Sequence, residues 1–198
     1  AHFAITDEKD NYYRFQEKVS RGALDVAGAY PSVYRVWVED WEISLQDNKH
    51  KLKAGKEDMG IDLTLVPMKS AVIHGVNGVS QKAVGEGYAS HYYSLTRMQA
   101  KGGLYWQGRS YEVKGLAWMD HEFSTSALAD GQVGWDWFSF HLDEGSELMV
   151  FQIRRADGTI DPFSSGTLVH PDGSTVPFSP RDDGGDLVET AFLIQGLL

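Results

Sequence analysis

The residues best suited to chemistry lie between positions 115 and 155, where carboxylates alternate with large aromatic rings. This stretch contains the run Asp120-His121-Glu122 and a further acid, Asp136, which stands between Trp135 and Trp137. Acids placed among indoles are unusual on a solvated surface and are typical of an apolar pocket with a few polar groups. Because desolvation keeps a carboxylic acid protonated, the chemistry indicated is acid catalysis inside an aromatic pocket.

Side-chain alternation in two predicted strands sorts these residues onto faces. Trp118, Asp120 and Glu122 share one face of the first strand, whereas His121 points to the opposite side and cannot chelate a metal together with Glu122. In the second strand, Asp136 falls on the side opposite the tryptophans, among apolar residues, and is buried if that side faces the core. The structural alternative is that each acid only accepts a hydrogen bond from a turn or an indole.

A third segment, residues 89–98, adds tyrosines, a histidine and Arg97, which could equally be a surface ion-pair partner. We therefore predict two groups of site residues. The predicted catalytic residues are Asp120, Asp136, His121 and Glu122, and the predicted ligand-binding residues are Trp118, Trp135, Trp137, Tyr92, Tyr93, His91, Arg97 and His141.

Composition and motifs exclude several other classes of function. The chain has no cysteine and a net charge of −10, which argues against thiolate chemistry and against nucleic acid as a partner. It contains no HExxH metal motif, no GxSxG nucleophile motif and no phosphate-binding glycine loop. No run of about 18 apolar residues is present, so we expect no membrane span. The sequence predicts no metal site and no cofactor.

Frequent turn signals between short alternating segments predict an antiparallel all-β barrel or sandwich. Residues 35–45 are predicted to form one strand, and residues 135–142 and 147–154 the two strands of a hairpin. The last thirteen residues, Asp186–Leu198, begin with a capping-box pattern and predict a short C-terminal helix. We expect one domain over residues 1–180, followed by a linker and this helix over residues 181–198.

Four segments, ASHYYSLTRM (89–98), GLAWMDHEFS (115–124), residues 134–158 and GTLVHPDGS (166–174), resemble the AttH-like family, which is related to carotenoid 1,2-hydratase (hydroxyneurosporene synthase). AHFAITD at residues 1–7 resembles an early strand of the same domain. The resemblance spans about residues 1–180 and implies a lipocalin-like β-barrel with an apolar interior.

In the hydratase branch, the implied reaction adds water to an isolated C=C bond of a lipophilic isoprenoid. The resemblance suggests Asp120 or Asp136 as the proton donor and His121 or Glu122 as the group that orients water. The rings lining the cation would be Trp118, Trp135, Trp137 and Tyr93. The alternatives are a non-catalytic lipocalin-like protein that binds an apolar ligand, and a secreted hydrolase, for which no nucleophile is evident.

The chain departs from the family pattern at both ends. Related chains usually carry strands before AHFAITD and a second lipocalin-like domain after residue 180, so we expect an incomplete barrel with an open edge. Such an edge favours a homo-oligomer. The C-terminal segment DLVETAFLIQGLL resembles instead a helical segment of bacterial glucoamylase-like proteins. The family suggests a secreted or periplasmic protein, although the chain opens without a signal peptide.

Overall fold

The protein is all-β in the residues that its structure, a computed structural model, describes: 1–30, 32–126 and 128–180. These residues form fifteen strands and contain no helix, which confirms the all-β part of the predicted fold class. The predicted helix Asp186–Leu198 lies outside the described residues. The strands are β1 (His2–Asp7), β2 (Tyr12–Glu17), β3 (Ala27–Tyr30), β4 (Arg35–Val38), β5 (Trp41–Gln46), β6 (Lys49–Lys56), β7 (Met59–Pro67), β8 (Val72–Ile73), β9 (Val79–Gln81), β10 (Ala89–Trp106), β11 (Arg109–Ser124), β12 (Gln132–His141), β13 (Glu147–Arg155), β14 (Ser165–Val169) and β15 (Thr175–Phe178).

The strands belong to three antiparallel sheets. One pairs β1 with β2, and a second has the order β12-β13-β14-β15. The third has the order β11-β10-β7-β6-β5-β4-β3, with β8 and β9 also paired to β10. Among the described strands no sheet closes on itself, so the β-barrel implied by the resemblance, which was expected to be incomplete with an open edge, is not closed here. Alternation along a strand reveals its faces but not which strand edges pair, and β12 begins a new sheet here instead of extending the one that ends at β11.

The described chain divides into two compact units. The first, unit 1, comprises residues 1–68 and 98–117, and the second, unit 2, comprises residues 69–97 and 118–180. The core of unit 1 is built from Phe3, Trp41, Met59 and Trp106. The prediction of a single domain over residues 1–180 stays a prediction.

Within unit 1, the segment predicted as one strand over residues 35–45 is a tight hairpin. β4 and β5 pair with Val38 opposite Trp41, so that Glu39 and Asp40 form the turn. Glu39 adopts a φ of +55°, and its carboxylate lies 3.0 Å from Lys18 Nζ. The signal for this turn was present in the sequence, because Glu39 interrupts the apolar stripe of the predicted strand.

Unit 2 contains the predicted hairpin, which is confirmed as β12 and β13 with His141 opposite Glu147. β13 lies between β12 and β14 and is buried on both faces along most of its length. Its two sides contribute to separate apolar clusters, one with Tyr92 of β10 and one with Phe178 of β15. β13 therefore forms a buried strand against which side chains of the other strands in this unit pack.

Candidate functional site

Unit 2 contains a pocket of about 400 Å³, called here the aromatic pocket. Its walls are mainly aromatic and aliphatic, and the polar lining residues besides the Tyr92 hydroxyl are Lys82, Ser90, Glu122, Ser124 and Ser126. β10, β11, β12 and β13 and the segments after β9 and β11 all contribute to it. The lining residues are Lys82, Ser90, Tyr92, Glu122, Phe123, Ser124, Ser126, Leu128, Trp135, Trp137, Phe151 and Ile153.

Asp120 is held immediately behind one wall of the aromatic pocket. Its Oδ1 accepts hydrogen bonds from the hydroxyls of Tyr92 at 2.9 Å and Ser94 at 2.5 Å, and from the indole of Trp118 at 2.9 Å. Trp137 Nε1 donates in turn to the Tyr92 hydroxyl at 3.1 Å. Trp118 and Asp120 thus share a face as predicted, and Asp120 is one hydrogen bond away from the lining residue Tyr92 and two from Trp137.

A buried chain of hydrogen bonds leads from Asp120 into the interior of unit 2. His74 Nε2 lies 2.8 Å from Ser94 Oγ, and His74 Nδ1 lies 3.0 Å from Thr167 Oγ1. Because Ser94 donates its proton to Asp120, it must accept from Nε2–H of His74, and Nδ1 then accepts from Thr167. Burial lowers the pKa of His74 to about 4, with Asp120 opposing the shift, so the ring is neutral in neutral solution.

Tyr92 links this chain to the pocket. Its side chain is almost fully buried and stacks on His74 with ring centroids 4.2 Å apart. Burial raises the pKa of the Tyr92 hydroxyl well above its usual range, and the neighbouring Asp120 carboxylate adds to the effect. The hydroxyl therefore stays protonated and can act as a hydrogen-bond donor throughout the neutral range.

Glu122 is the carboxylate in the pocket wall itself. Its Oε1 lies 3.0 Å from Lys82 Nζ and accepts a hydrogen bond from Ser90 Oγ at 2.5 Å. Lys82 Nζ also lies 3.8 Å from the ring centroid of Phe151. Burial lowers the pKa of Lys82, and the charge of Glu122 partly offsets this. Glu122 was among the predicted catalytic residues, whereas Lys82 was not a predicted site residue.

Asp136 lies apart from the aromatic pocket. Trp135 and Trp137 line the pocket, and alternation places Asp136 on the other side of β12. Its carboxylate lies 3.4 Å from Arg154 Nε, and its side chain is 41% exposed. The burial expected for Asp136 among aromatic rings is therefore not found, because this face of β12 is partly open to solvent.

Three further predicted residues belong to the opposite face of β10 and β11. His121 stacks on Tyr93 with ring centroids 5.1 Å apart, and His91 contacts Phe123 at 5.2 Å. The structure thus brings Asp120, Glu122, Trp118, Trp135, Trp137 and Tyr92 together around the aromatic pocket, and it groups His121, Tyr93 and His91 elsewhere.

Arg97 and His141 take part in a separate polar network. Glu147 is completely buried, and its carboxylate bonds to Arg97 Nε, to Lys69 Nζ at 2.8 Å and to Thr96 Oγ1 at 3.2 Å. His141 Nε2 lies 2.7 Å from the Thr96 carbonyl oxygen, which can only accept, so the ring donates. Two cations around one buried carboxylate hold the β12–β13 hairpin to β10.

Sequence reasoning missed His74, Ser94, Thr167, Lys82 and Glu147. His74 and Lys82 lie in the glycine-rich segment 70–87, where nothing in the sequence connects either residue to a partner. In the described residues, no group of three or more His, Asp or Glu side chains is arranged to hold a metal ion. The same residues include no helix able to cross a membrane.

Two solved structures are similar to this chain in fold. A crystal structure of an AttH-type protein from Nitrosomonas europaea has a TM-score of 0.82 and 33% identity, covering 90% of this chain and 56% of that one. Kievitone hydratase from Nectria haematococca has a TM-score of 0.69 and 15% identity, covering 90% of this chain and 54% of that one. The chain therefore spans about half the length of both.

One curated protein shares a short stretch with the chain. An exo beta-1,2-glucooligosaccharide sophorohydrolase from Parabacteroides distasonis is 50% identical over 50 residues, covering 23% of this chain and 6% of that protein. By contrast, the sequence model of the AttH-like family matches residues 1–184. This match covers all the strands described above, and the chain belongs to the AttH-like family, with the lipocalin-type fold of that family.

Proposed function

We propose that the aromatic pocket binds an isoprenoid-type apolar molecule and adds water to one of its isolated C=C bonds. The observation that supports this most directly is the placement of two acids at one aromatic wall of the pocket. Glu122 lies in the wall, and Asp120 lies one hydrogen bond behind it through Tyr92. A fold neighbour, kievitone hydratase, is a hydratase by name, which supports the reaction class.

In the proposed reaction, Asp120 takes up a proton from solvent and its O–H then donates to the Tyr92 oxygen, which reverses the hydrogen bond of the resting site. Asp120 passes its proton to the Tyr92 oxygen while Tyr92 passes its hydroxyl proton to the less substituted alkene carbon. The cation that forms on the other carbon lies against the faces of Trp135 and Trp137, which stabilise it electrostatically. Water then attacks the cation, Glu122 takes the released proton and passes it to solvent, and solvent returns a proton to Asp120. The alkene and one water molecule give one alcohol.

The size of the pocket limits how a substrate binds. A volume of about 400 Å³ is at the lower end of ligand pockets, which span roughly 300–1,000 Å³. We expect the end group of an acyclic isoprenoid to enter and the rest of a long chain to remain outside. An isolated double bond near the end of the molecule would then be the reactive one.

The second candidate is a binding protein without catalysis. It is favoured by the three hydrogen bonds that already occupy Asp120 Oδ1 and by the large apolar share of the lining. A carrier needs the pocket but does not need Asp120 or Glu122 in a reactive state. The two candidates therefore differ in whether the acids affect turnover.

The test is water addition to an acyclic carotenoid in isotopically labelled water, read by mass spectrometry of the product. Wild type should incorporate one labelled oxygen per molecule, and Asp120→Asn and Glu122→Gln should each slow the reaction at least about a hundredfold. Asp136→Asn is the matched control and should react like wild type, because its carboxylate pairs with Arg154 outside the pocket. Tight binding without turnover by wild type would overturn the hydratase proposal in favour of the carrier.

A further inference from the structure

Lys82 lies in the aromatic pocket, and in the proposed hydration reaction its only role is to hold Glu122. Its Nζ lies 3.0 Å from Glu122 Oε1 and 3.8 Å from the centroid of the Phe151 ring, and its side chain is 16% exposed. The centroid of the Tyr92 ring lies 5.6 Å from the same Nζ atom. The amine thus lies at the end of a mostly apolar pocket with one carboxylate beside it.

The other deeply buried lysine of unit 2 shows what a purely structural ammonium looks like. Lys69 Nζ donates to the carbonyl oxygens of Gly145 at 2.7 Å and His170 at 2.8 Å, and to Glu147 at 2.8 Å. All three of its N–H donors are therefore used. In the part of the chain that the structure describes, Lys82 Nζ has one ionic partner, Glu122, and its remaining close contacts are ring faces.

The backbone of Lys82 is fixed from both sides. Its N–H donates to the Tyr88 carbonyl at 2.8 Å, and its carbonyl accepts from Gln132 Nε2 at 2.8 Å. Gln132 is the first residue of β12, the strand that carries Trp135 and Trp137 into the pocket. The amine is therefore held in a defined place relative to the aromatic walls.

We propose that Lys82 is a covalent attachment site for apolar aldehydes, which it binds as an imine inside the aromatic pocket. Lys82 first passes a proton to Glu122, and the neutral amine attacks the carbonyl carbon to give a carbinolamine. Glu122 then returns this proton to the departing hydroxyl, which leaves as water, and the resulting protonated imine pairs with the Glu122 carboxylate. One aldehyde and one amine give one imine and one water molecule. Burial lowers the pKa of Lys82, which increases the fraction of neutral amine available for attack.

The apolar walls provide selectivity for the aldehyde. Leu128, Trp135 and Ile153 line the space in which the chain of an aldehyde bound to Lys82 would lie. A small polar aldehyde gains little from these walls, whereas a branched apolar aldehyde displaces water from them. Covalent attachment at Lys82 should therefore depend on the apolar body of the ligand as well as on its carbonyl group.

The experiment treats the purified chain with citronellal, a branched apolar aldehyde, and traps any imine with sodium borohydride before peptide mass mapping. We expect labelling at Lys82 to exceed labelling at the exposed Lys114 by at least about tenfold, since burial lowers the pKa of the Lys82 amine and the apolar walls hold the aldehyde beside it. Lys82→Arg should abolish the pocket label, whereas Lys114→Arg should leave it unchanged. Excess citronellol, the corresponding alcohol, should reduce the labelling of Lys82 by citronellal. Acetaldehyde should not label Lys82 in preference to Lys114.

Equal labelling of Lys82 and Lys114 in wild type would overturn the proposal, and this result does not depend on whether any variant folds. Labelling at Lys82 that citronellol does not reduce would also overturn it, because the reaction would then not require the pocket. Neither outcome depends on hydration, since imine formation is read from the attached mass and leaves the C=C bond of citronellal unchanged.

Discussion

Glu147 shows how a single residue can decide the stability of unit 2. Its carboxylate is fully buried between Lys69 and Arg97, whose side chains are 8% and 14% exposed. A buried ion pair is a weak source of stability compared with apolar packing, but removal of one partner leaves the others as unpaired charges in a region of low dielectric constant. Because two cations surround one anion, the cost of removing Glu147 is much larger than the stability that its ion pairs contribute.

We therefore expect Glu147→Gln to lower the free energy of unfolding by about 3–5 kcal/mol. Urea denaturation followed by circular dichroism measures the loss. Glu144→Gln, at an exposed position in the same hairpin loop, is the matched control and should change the value by less than about 0.5 kcal/mol. A loss at Glu147 no larger than that of the control would contradict the assigned role.

His74 makes the stability of the protein depend on pH. Its folded pKa is about 4, below its ordinary value of 6.5, because it is buried. Above pH 6.5 neither state is protonated at this ring, and as the pH falls from 6.5 to 4 only the unfolded state gains the proton. The stability contributed by neutral His74 is therefore present at neutral pH and is lost across this window.

The loss amounts to roughly 3 kcal/mol, since each pH unit between the two pKa values corresponds to about 1.4 kcal/mol. Unfolding free energies measured between neutral and acidic pH should fall less steeply for His74→Gln than for wild type. His2→Gln, which removes an exposed histidine of unit 1, should keep the wild-type slope. Identical slopes for wild type and His74→Gln would show that the buried ring does not govern this pH dependence.

At the scale of elements, the hairpins of unit 1 depend on residues with positive φ. Asp47 and Asn48 join β5 to β6 with φ values of 49° and 58°, as a two-residue type I′ turn requires. Asn tolerates this conformation, whereas a β-branched residue is strained in it. The turn also fixes the register of the paired strands, because its length leaves no room for a slip.

Asn48→Val should therefore destabilise the protein by about 1–2 kcal/mol, whereas Asn48→Gly should be close to neutral or slightly stabilising. Thermal unfolding of the two variants beside wild type measures the difference. Replacement of the neighbouring strand residue, Gln46→Val, controls for the valine side chain and should be tolerated, since valine favours strands. Equal effects at positions 46 and 48 would contradict the turn assignment.

The elements also show why part of the fold was predictable. The β12–β13 hairpin and the shared face of Trp118 and Asp120 follow from alternation within a few residues, which the sequence displays directly. The division of residues 35–45 into two strands required Glu39 to be interpreted as a turn residue. The division of the strands into three sheets was not predicted, because the pairing of strand edges depends on contacts that local patterns do not encode.

For the molecule as a whole, the sequence indicated the acids and rings of the site but not the groups that hold them. The contact of His74 with Thr167 joins residues 93 positions apart, and that of Lys69 with Glu147 joins residues 78 positions apart. A lysine, a histidine or a glutamate near a turn is usually solvated, so no local sequence pattern distinguished Lys69, His74 or Glu147 from surface residues. Only the folded sheets bring them together.

The distribution of tryptophan gives the protein an optical consequence. Trp135 and Trp137 line the aromatic pocket and Trp118 contacts Asp120, whereas Trp37, Trp41 and Trp106 belong to unit 1 and line no part of that pocket. Binding of an apolar ligand should quench or shift only part of the intrinsic emission, and Trp135→Phe with Trp137→Phe should remove most of that response. The unit 1 indoles, buried in their own core, then provide a constant internal reference in the same spectrum.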